Sequence, residues 1–154
     1  MRVDGVLLTP RGWVIGALAV GTDGRIAAVD GTHIDALRVR DAGLPVVLPG
    51  FIDTHVHGGG GRDVMEGGDA TARVAQLHAR HGTTSLLATT MTAPAEALAQ
   101  ALAAVAPLCA ATVPGGARVL GVHLEGPCLN PGKLGAQPGH ARPFDVAEWR
   151  RLAA

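Results

Sequence analysis

The alternation of apolar patterns after residue 45 constrains the fold of this chain more than any other feature. Strand-like and helix-like patterns follow each other in turn, at residues 46–48, 70–81, 84–89, 94–106, 118–124 and 146–152. Such alternation is typical of parallel strands joined by right-handed helical crossovers. A complete eight-stranded α/β barrel needs about 250 residues, so we expect room for roughly three βα units here. The sequence therefore predicts an α/β fold that holds part of a barrel.

The first 48 residues follow a different pattern. Short β-type runs at 3–8, 13–20 and 25–29 are separated by turn-forming sequences, and Asp23 with Gly24 is a hairpin signal between two of them. The weaker periodicity of residues 30–45 predicts a connection. We therefore expect a small antiparallel unit over 1–48, too small to be stable by itself, and a second domain over 49–154.

Charge and composition exclude several classes of partner. Thirteen Lys and Arg residues balance thirteen Asp and Glu residues. This balance argues against nucleic acid and against an anionic membrane, which attract basic surfaces. The sequence shows no signal-peptide pattern and no apolar run of about 18 residues, so we expect a cytoplasmic protein without a membrane span. The two cysteines lack disulfide spacing and are expected to be reduced thiols.

Two histidines, His55 and His57, follow the first strand of the alternating region, within the sequence PGFIDTHVHGGGG. Period-two geometry places both imidazoles on one face of a strand. Two neutral imidazoles side by side can hold one divalent cation. The glycines at 58–61 leave such a site open. A pair of ordinary polar residues at a strand end is the alternative, and the flanking sequence favours the metal site.

A carboxylate, Glu125, follows the third strand in the sequence VHLEGP. Strict alternation would place Val119, His123 and Glu125 on the barrel-interior face and Leu120 and Val122 against the helices. Barrel enzymes carry catalytic groups at the carboxyl ends of their strands. We therefore predict that Glu125 ligates a metal beside the histidines. For His123 two interpretations stay open, a packed histidine and a group that supports the ligands.

These segments together resemble a known family. The sequence LPGFIDTHVHGGGG is similar to the first-strand metal motif of the amidohydrolase superfamily. The segments HGTTSLLATTMTA and GVHLEGPCLNPGKLGAQ narrow the resemblance to N-acetylglucosamine-6-phosphate deacetylases. The resemblance covers nearly the whole chain. It implies a partial TIM-type (β/α) barrel, its first three βα units preceded by the N-terminal strands of a small β-sandwich domain.

The resemblance also implies a function, the removal of the acetyl group from N-acetylglucosamine 6-phosphate in amino-sugar catabolism. Position by position, Glu125 matches the family's principal metal ligand, and His55 and His57 match the pair that completes a second metal site. Ala136 and Gln137 match positions that contact the substrate. A divalent cation, zinc or iron, is implied, with one or two ions in a complete site. No catalytic residue is assigned, because the family's general base is expected beyond residue 154.

Two residues depart from the family pattern, Gln137 and Cys128, and at the position of Cys128 the family usually has an aromatic residue. Gln137 stands where the family commonly has a His, and a Gln donates hydrogen bonds but cannot be cationic. The three predicted ligands lack an identified base, so we expect a fragment or truncated product with little activity. Two alternatives are an amidohydrolase that acts on a cyclic amide and a non-catalytic fragment. A homo-oligomer also stays open.

Overall fold

The structure, a computed structural model, describes residues 1–153 and divides the chain into two compact units, Met1–Pro49 and Gly50–Ala154. Its strands and helices give a mixed α/β chain, which confirms the predicted class. The strands are β1 (Arg2–Thr9), β2 (Gly12–Val20), β3 (Ile26–Ile34), β4 (Val46–Val47), β5 (Phe51–Val56), β6 (Gly58–Gly59), β7 (Arg62–Asp63), β8 (Thr83–Thr89) and β9 (Arg118–His123). The α-helices are α1 (Ala70–Ala79), α2 (Ala95–Ala110) and α3 (Val146–Leu152). Within residues 1–153, no helix has both the length and the apolar character needed to cross a bilayer.

The first unit is a four-stranded sheet with the order β3-β2-β1-β4. The three longer strands are antiparallel, whereas β4 joins β1 in parallel, so the prediction of a purely antiparallel unit was wrong for β4. The predicted connection from residue 30 was also wrong over its first five residues, because β3 continues to Ile34. Gly16 allows β2 and β3 to approach closely, since a Cβ on Gly16 would lie 1.9 Å from the carbonyl oxygen of Asp30.

The second unit contains a parallel sheet with the order β5-β8-β9. Helix α1 connects β5 to β8, and α2 connects β8 to β9. The glycine-rich segment after β5 folds into the small antiparallel pair of β6 and β7. Apolar side chains from the sheet, from α1 and α2 and from the segments that connect them form a buried core, with the members Val56, Val64, Val74, Ala75, Leu86, Ala88, Val105, Val113, Ala117 and Val119.

Strand β9 departs from the strict alternation that its sequence predicts. Val119 is fully buried in the core with the helices and Val122 packs against that core, whereas Leu120 is 47% exposed. The prediction therefore had Val119 and Leu120 on the wrong faces. The reason is a register shift, because Leu86 pairs with Val119 and the next residue of β8 pairs with Gly121. One residue of β9 is thus unpaired, and the side-chain phase changes there.

The helix ends also differ in part from the predictions. Asp69 precedes α1, but its carboxylate binds Arg73 and Arg62 instead of capping the helix. Asp145 does cap α3 by accepting a hydrogen bond from the Ala147 amide. Glu148, three residues after Asp145 as in a capping box, does not complete that cap and pairs instead with Arg142.

Helix α2 runs four residues beyond its predicted end at residue 106 and contains Pro107. Leu108 and Cys109 pack against the core, and this packing keeps the last turn helical.

Candidate metal centre

Three side chains from the ends of two strands meet at one edge of the parallel sheet. His55 lies in β5, His57 directly after it, and Glu125 two residues after β9. The Nε2 atoms of the two histidines are 3.0 Å apart. Glu125 Oε2 lies 2.9 Å from His55 Nε2 and 3.0 Å from His57 Nε2. The structure therefore brings together the three residues that the sequence predicted as metal ligands.

These three contacts cannot all be hydrogen bonds. A neutral imidazole nitrogen either donates one hydrogen bond or accepts one, and a carboxylate only accepts. If both histidines donate to Glu125, the contact between their Nε2 atoms joins two donors. If one Nε2 is unprotonated so that it accepts from the other, its lone pair faces the carboxylate. A cation shared by the three atoms removes this conflict, because each atom then offers it a lone pair.

The distances also suit a divalent cation. Divalent cations such as zinc bind nitrogen and oxygen ligands at about 2.0–2.2 Å, so two ligands lie about 3 Å apart at a right angle and about 3.4 Å apart at the tetrahedral angle of zinc. The side chains of His55, His57 and Glu125 are 50%, 33% and 26% exposed, so the site is open to ligand entry. The arrangement of donors, their spacing and their accessibility therefore fit a metal.

A bulge in β5 aims the two histidines. Asp53 pairs with Leu86 and Val56 pairs with Ala88, so three steps along β5 match two steps along β8. The backbone groups of the bulge bind side chains. The Asp53 carboxylate accepts from the His55 amide at 3.1 Å, and the Thr89 hydroxyl accepts from the Val56 amide at 2.8 Å. Bulges re-aim side chains in this way beside functional sites.

The two predicted substrate positions lie in the segment after Glu125. Ala136 is exposed and Gln137 is part-buried. Gln137 Oε1 accepts a hydrogen bond from the Thr92 amide at 2.7 Å, and its Nε2 lies 3.6 Å from the sulfur of Met91. This amide is therefore anchored to the loop after β8 through its oxygen, and its NH2 group carries the remaining donor capacity.

An ion pair that sequence reasoning missed anchors the same segment. Arg142 binds Glu148 through Nε at 3.0 Å and through a second, shorter contact, and it donates to the Ala93 carbonyl at 2.8 Å. The hydrogen bond from Arg142 lowers the pKa of Glu148, and the same bond raises the pKa of Arg142. The spacing of six residues has no regular meaning in a helix or strand, so no local signal marks this pair.

Comparison with known proteins agrees with the motifs. The sequence profile described as "Amidohydrolase family" matches residues 46–128. The N-acetylgalactosamine-6-phosphate deacetylase of Escherichia coli O157:H7 is 41% identical over 150 residues, which cover 96% of this chain and 39% of that protein. The N-acetylglucosamine-6-phosphate deacetylase of Bacillus subtilis (strain 168) is 38% identical over 136 residues, which cover 84% of this chain and 34% of that protein.

Solved structures show the same likeness. The N-acetylglucosamine-6-phosphate deacetylase of Thermotoga maritima matches with a TM-score of 0.80 and 28% identity, over 98% of this chain and 39% of that one. The corresponding enzyme of Mycobacterium smegmatis matches with a TM-score of 0.77 and 31% identity, over 99% of this chain and 43% of that one. The chain thus spans about two-fifths of the length of these relatives. The predicted resemblance to the deacetylases is confirmed.

Proposed function

The chain belongs to the amidohydrolase family, and from this membership we propose that it serves the metal-dependent deacetylation of N-acetylglucosamine 6-phosphate. The products are glucosamine 6-phosphate and acetate. The proposal includes the finer interpretation of the fold, in which the parallel sheet is part of a TIM-type barrel and the first unit is a share of a β-sandwich. The match of the chain to deacetylase structures supports this interpretation.

One observation carries the proposal: three ligand atoms are in mutual contact, and two neutral imidazoles with an ionised carboxylate cannot satisfy all three contacts by hydrogen bonds. In the proposed site His55, His57 and Glu125 hold one divalent cation, zinc or iron. Glu125 supplies a negative charge and the histidines supply neutral nitrogen donors, a mixed set that suits either metal. The deacetylase resemblance implies metal ligation at the same three positions, although it assigns Glu125 to the principal site and the two histidines to a second one.

The bound cation would supply Lewis acidity, which acidifies a water and polarises the acetamide carbonyl. The residues of the chain bind and orient the substrate. Ala136 and Gln137 are proposed to contact the sugar phosphate. Because the Gln137 oxygen is already bound to the Thr92 amide, only its NH2 group is free to donate to a substrate oxygen. We assign no general base among residues 1–153.

A second substrate is favoured by the names of two relatives, from E. coli and from Shewanella sp. (strain ANA-3). The E. coli protein at 41% identity is named for N-acetylgalactosamine 6-phosphate, which differs from the glucosamine compound at a single sugar carbon. Both compounds carry the same acetamide and phosphate, so the proposed chemistry is shared. N-acetylgalactosamine 6-phosphate is therefore our second candidate substrate. A cyclic amide is less favoured, since these relatives are named for sugar phosphates.

The first test is cation binding. Titration with Co²⁺, followed by its visible absorption, should show one site in the wild-type chain. Glu125→Gln should weaken binding at least about 100-fold, because a charged ligand is lost. Glu96→Gln, which changes an exposed carboxylate on α2, is the matched control and should bind as the wild type does. Equal affinity of the wild type and Glu125→Gln would overturn the site.

The second test is turnover. With Zn²⁺ or Fe²⁺ added, acetate release should be measured for the two sugar phosphates, and ring opening for a cyclic amide. We expect any turnover to be confined to the sugar phosphates and to disappear in Glu125→Gln. Turnover of the cyclic amide alone would contradict the proposed substrate class.

A further inference from the structure

We propose that Thr89 and His123 are positioning residues that fix the bulge of β5 and thereby set the separation of His55 and His57. Neither side chain belongs to the three-atom cluster, so both would act on a cation only through the histidines. The expected effect on cation affinity rests on the proposed metal site, whereas the contacts to the backbone of β5 do not depend on it.

The bulge creates a need for side-chain partners. Between the pairs Asp53–Leu86 and Val56–Ala88, β5 carries one residue more than β8. The regular ladder is broken there, and backbone groups that leave a ladder need other partners when they are buried. A slip of one residue at this point would turn His55 to the opposite face of the strand. Whatever binds the bulged backbone therefore controls where this imidazole points.

Thr89 meets this need from β8. It is fully buried, and its hydroxyl accepts from the Val56 amide at 2.8 Å. The same hydroxyl donates to the Leu87 carbonyl at 3.3 Å, so both its donor and an acceptor site are used. This bond fixes the backbone between the two histidines.

His123 meets the need from β9, on the other side of β8. Its Nδ1 lies 3.1 Å from the Thr54 carbonyl oxygen, which can only accept, so Nδ1 carries the proton. Its ring also packs edge-on against the His55 ring, with centroids 4.7 Å apart and an interplanar angle of 68°. His123 therefore binds the backbone before His55 and limits the rotation of the His55 ring as well. Substitution of residues that orient metal ligands in this way typically lowers metal affinity about 10- to 100-fold.

The Thr89 contact has a matched control in the next residue. Thr89→Val keeps the shape and removes the hydroxyl. Thr90→Val makes the same change at a site that is also fully buried, where the hydroxyl has no hydrogen-bond partner among the described residues. We expect Thr89→Val to speed hydrogen exchange of the Val56 amide at least tenfold and to weaken Co²⁺ binding about tenfold. Thr90→Val should change neither quantity.

Two substitutions separate the roles of His123. His123→Asn keeps an N–H group near the place of Nδ1 and should keep Co²⁺ affinity within about threefold of wild type. His123→Phe keeps a ring against His55 but loses the donor, and should weaken Co²⁺ binding about tenfold. The visible spectrum of bound cobalt should also shift, because a misplaced histidine changes the ligand field.

The outcomes distinguish this inference from the proposed function. If wild-type affinity and Val56 exchange persist in both Thr89→Val and His123→Phe, the inference is wrong. If the wild-type chain binds no Co²⁺, the proposed function fails, and the exchange rates alone still decide whether these side chains hold the bulge. Circular dichroism of each variant confirms that a loss of affinity does not come from unfolding.

Discussion

At the scale of single residues, the ion pair of Arg142 and Glu148 is a part-buried charged contact outside the candidate metal centre. Glu148 is only 7% exposed, and Arg142 binds both of its carboxylate oxygens. Arg142 also reaches the carbonyl groups of Ala93 and His140. The pair therefore joins the segment after Glu125 both to the loop before α2 and to α3.

Substitution of Glu148 by Gln should make stability less dependent on pH. The pKa of this carboxyl lies below its ordinary value because Arg142 binds the charged form. Its stabilisation is therefore complete above the unfolded pKa of about 4.3 and is lost as pH falls through the lower folded value. At pH 7 we expect Glu148→Gln to lower the melting temperature by roughly 5 °C. The difference should shrink below about pH 4, as thermal unfolding at several pH values will show.

The control for this prediction is Asp41→Asn, which removes an exposed carboxylate that forms no ion pair among the described residues and should change the melting temperature little at any pH. A difference between wild type and Glu148→Gln that stays constant down to pH 3 would contradict the assigned role of the ion pair.

Some residues of the site could be predicted from the sequence, and others could not. His55, His57 and Glu125 follow strands whose carboxyl ends meet at one edge of a parallel sheet, so their proximity follows from the order of elements. Their role as ligands stays a prediction. The contacts of Thr89 and Arg142 depend on which backbone group lies opposite, 33 and 49 residues away, and no local pattern encodes that.

At the scale of elements, the helices and the later strands of the second unit follow the predicted order. The predicted first strand at 46–48 was wrong, because Val46 and Val47 pair with β1 and the parallel sheet starts with β5. Other differences arise where two strands pair out of register. The sequence of β9 alternates regularly, yet the bulge at Leu120 changes the phase of its side chains. A bulge is a property of a pair of strands, so a single strand does not reveal it. The continuation of α2 through Pro107 has a similar cause, because the packing of Leu108 and Cys109 outweighs the local preference for a break.

The core around β8 should determine the stability of this unit. Leu86 is fully buried between neighbouring strands and helices, so Leu86→Ala should lower the free energy of unfolding by about 2–5 kcal/mol. Leu120→Ala is the comparison, because that side chain is 47% exposed and should cost less than about 1 kcal/mol. Urea unfolding followed by Trp149 fluorescence, with Trp13 replaced by Phe, measures both. Equal losses would show that the burial assigned to Leu86 is wrong.

At the scale of the whole molecule, the sequence predicted a mixed α/β chain, and the structure confirms that class. The change of pattern near residue 48 marks where one kind of sheet gives way to another, since short hairpin-linked runs precede it and strand–helix alternation follows it. The closure of the parallel sheet into a barrel stays a prediction, because the described residues supply three of its strands.

Metal removal should destabilise the second unit. A ligand that binds only the folded state stabilises it by about 2.7 kcal/mol when its concentration is 100 times the dissociation constant. We therefore expect Zn²⁺ at that excess to raise the unfolding temperature reported by Trp149, and EDTA to reverse the rise. Glu125→Gln should abolish the effect. A rise of the same size in that variant would mean that zinc binds elsewhere.

The strand order gives the cation site a particular relation to folding kinetics. Its ligands come from the two strands that flank β8, and His55 and Glu125 are 70 residues apart in the chain. Neither the first βα unit nor the last strand by itself contains the full ligand set, and contacts between such distant residues form late because long loops must close first. If the proposed site holds a cation, its full ligand set during synthesis on the ribosome therefore requires that the third parallel strand has emerged. Binding of the ion would then report that β5 and β9 have both paired with β8.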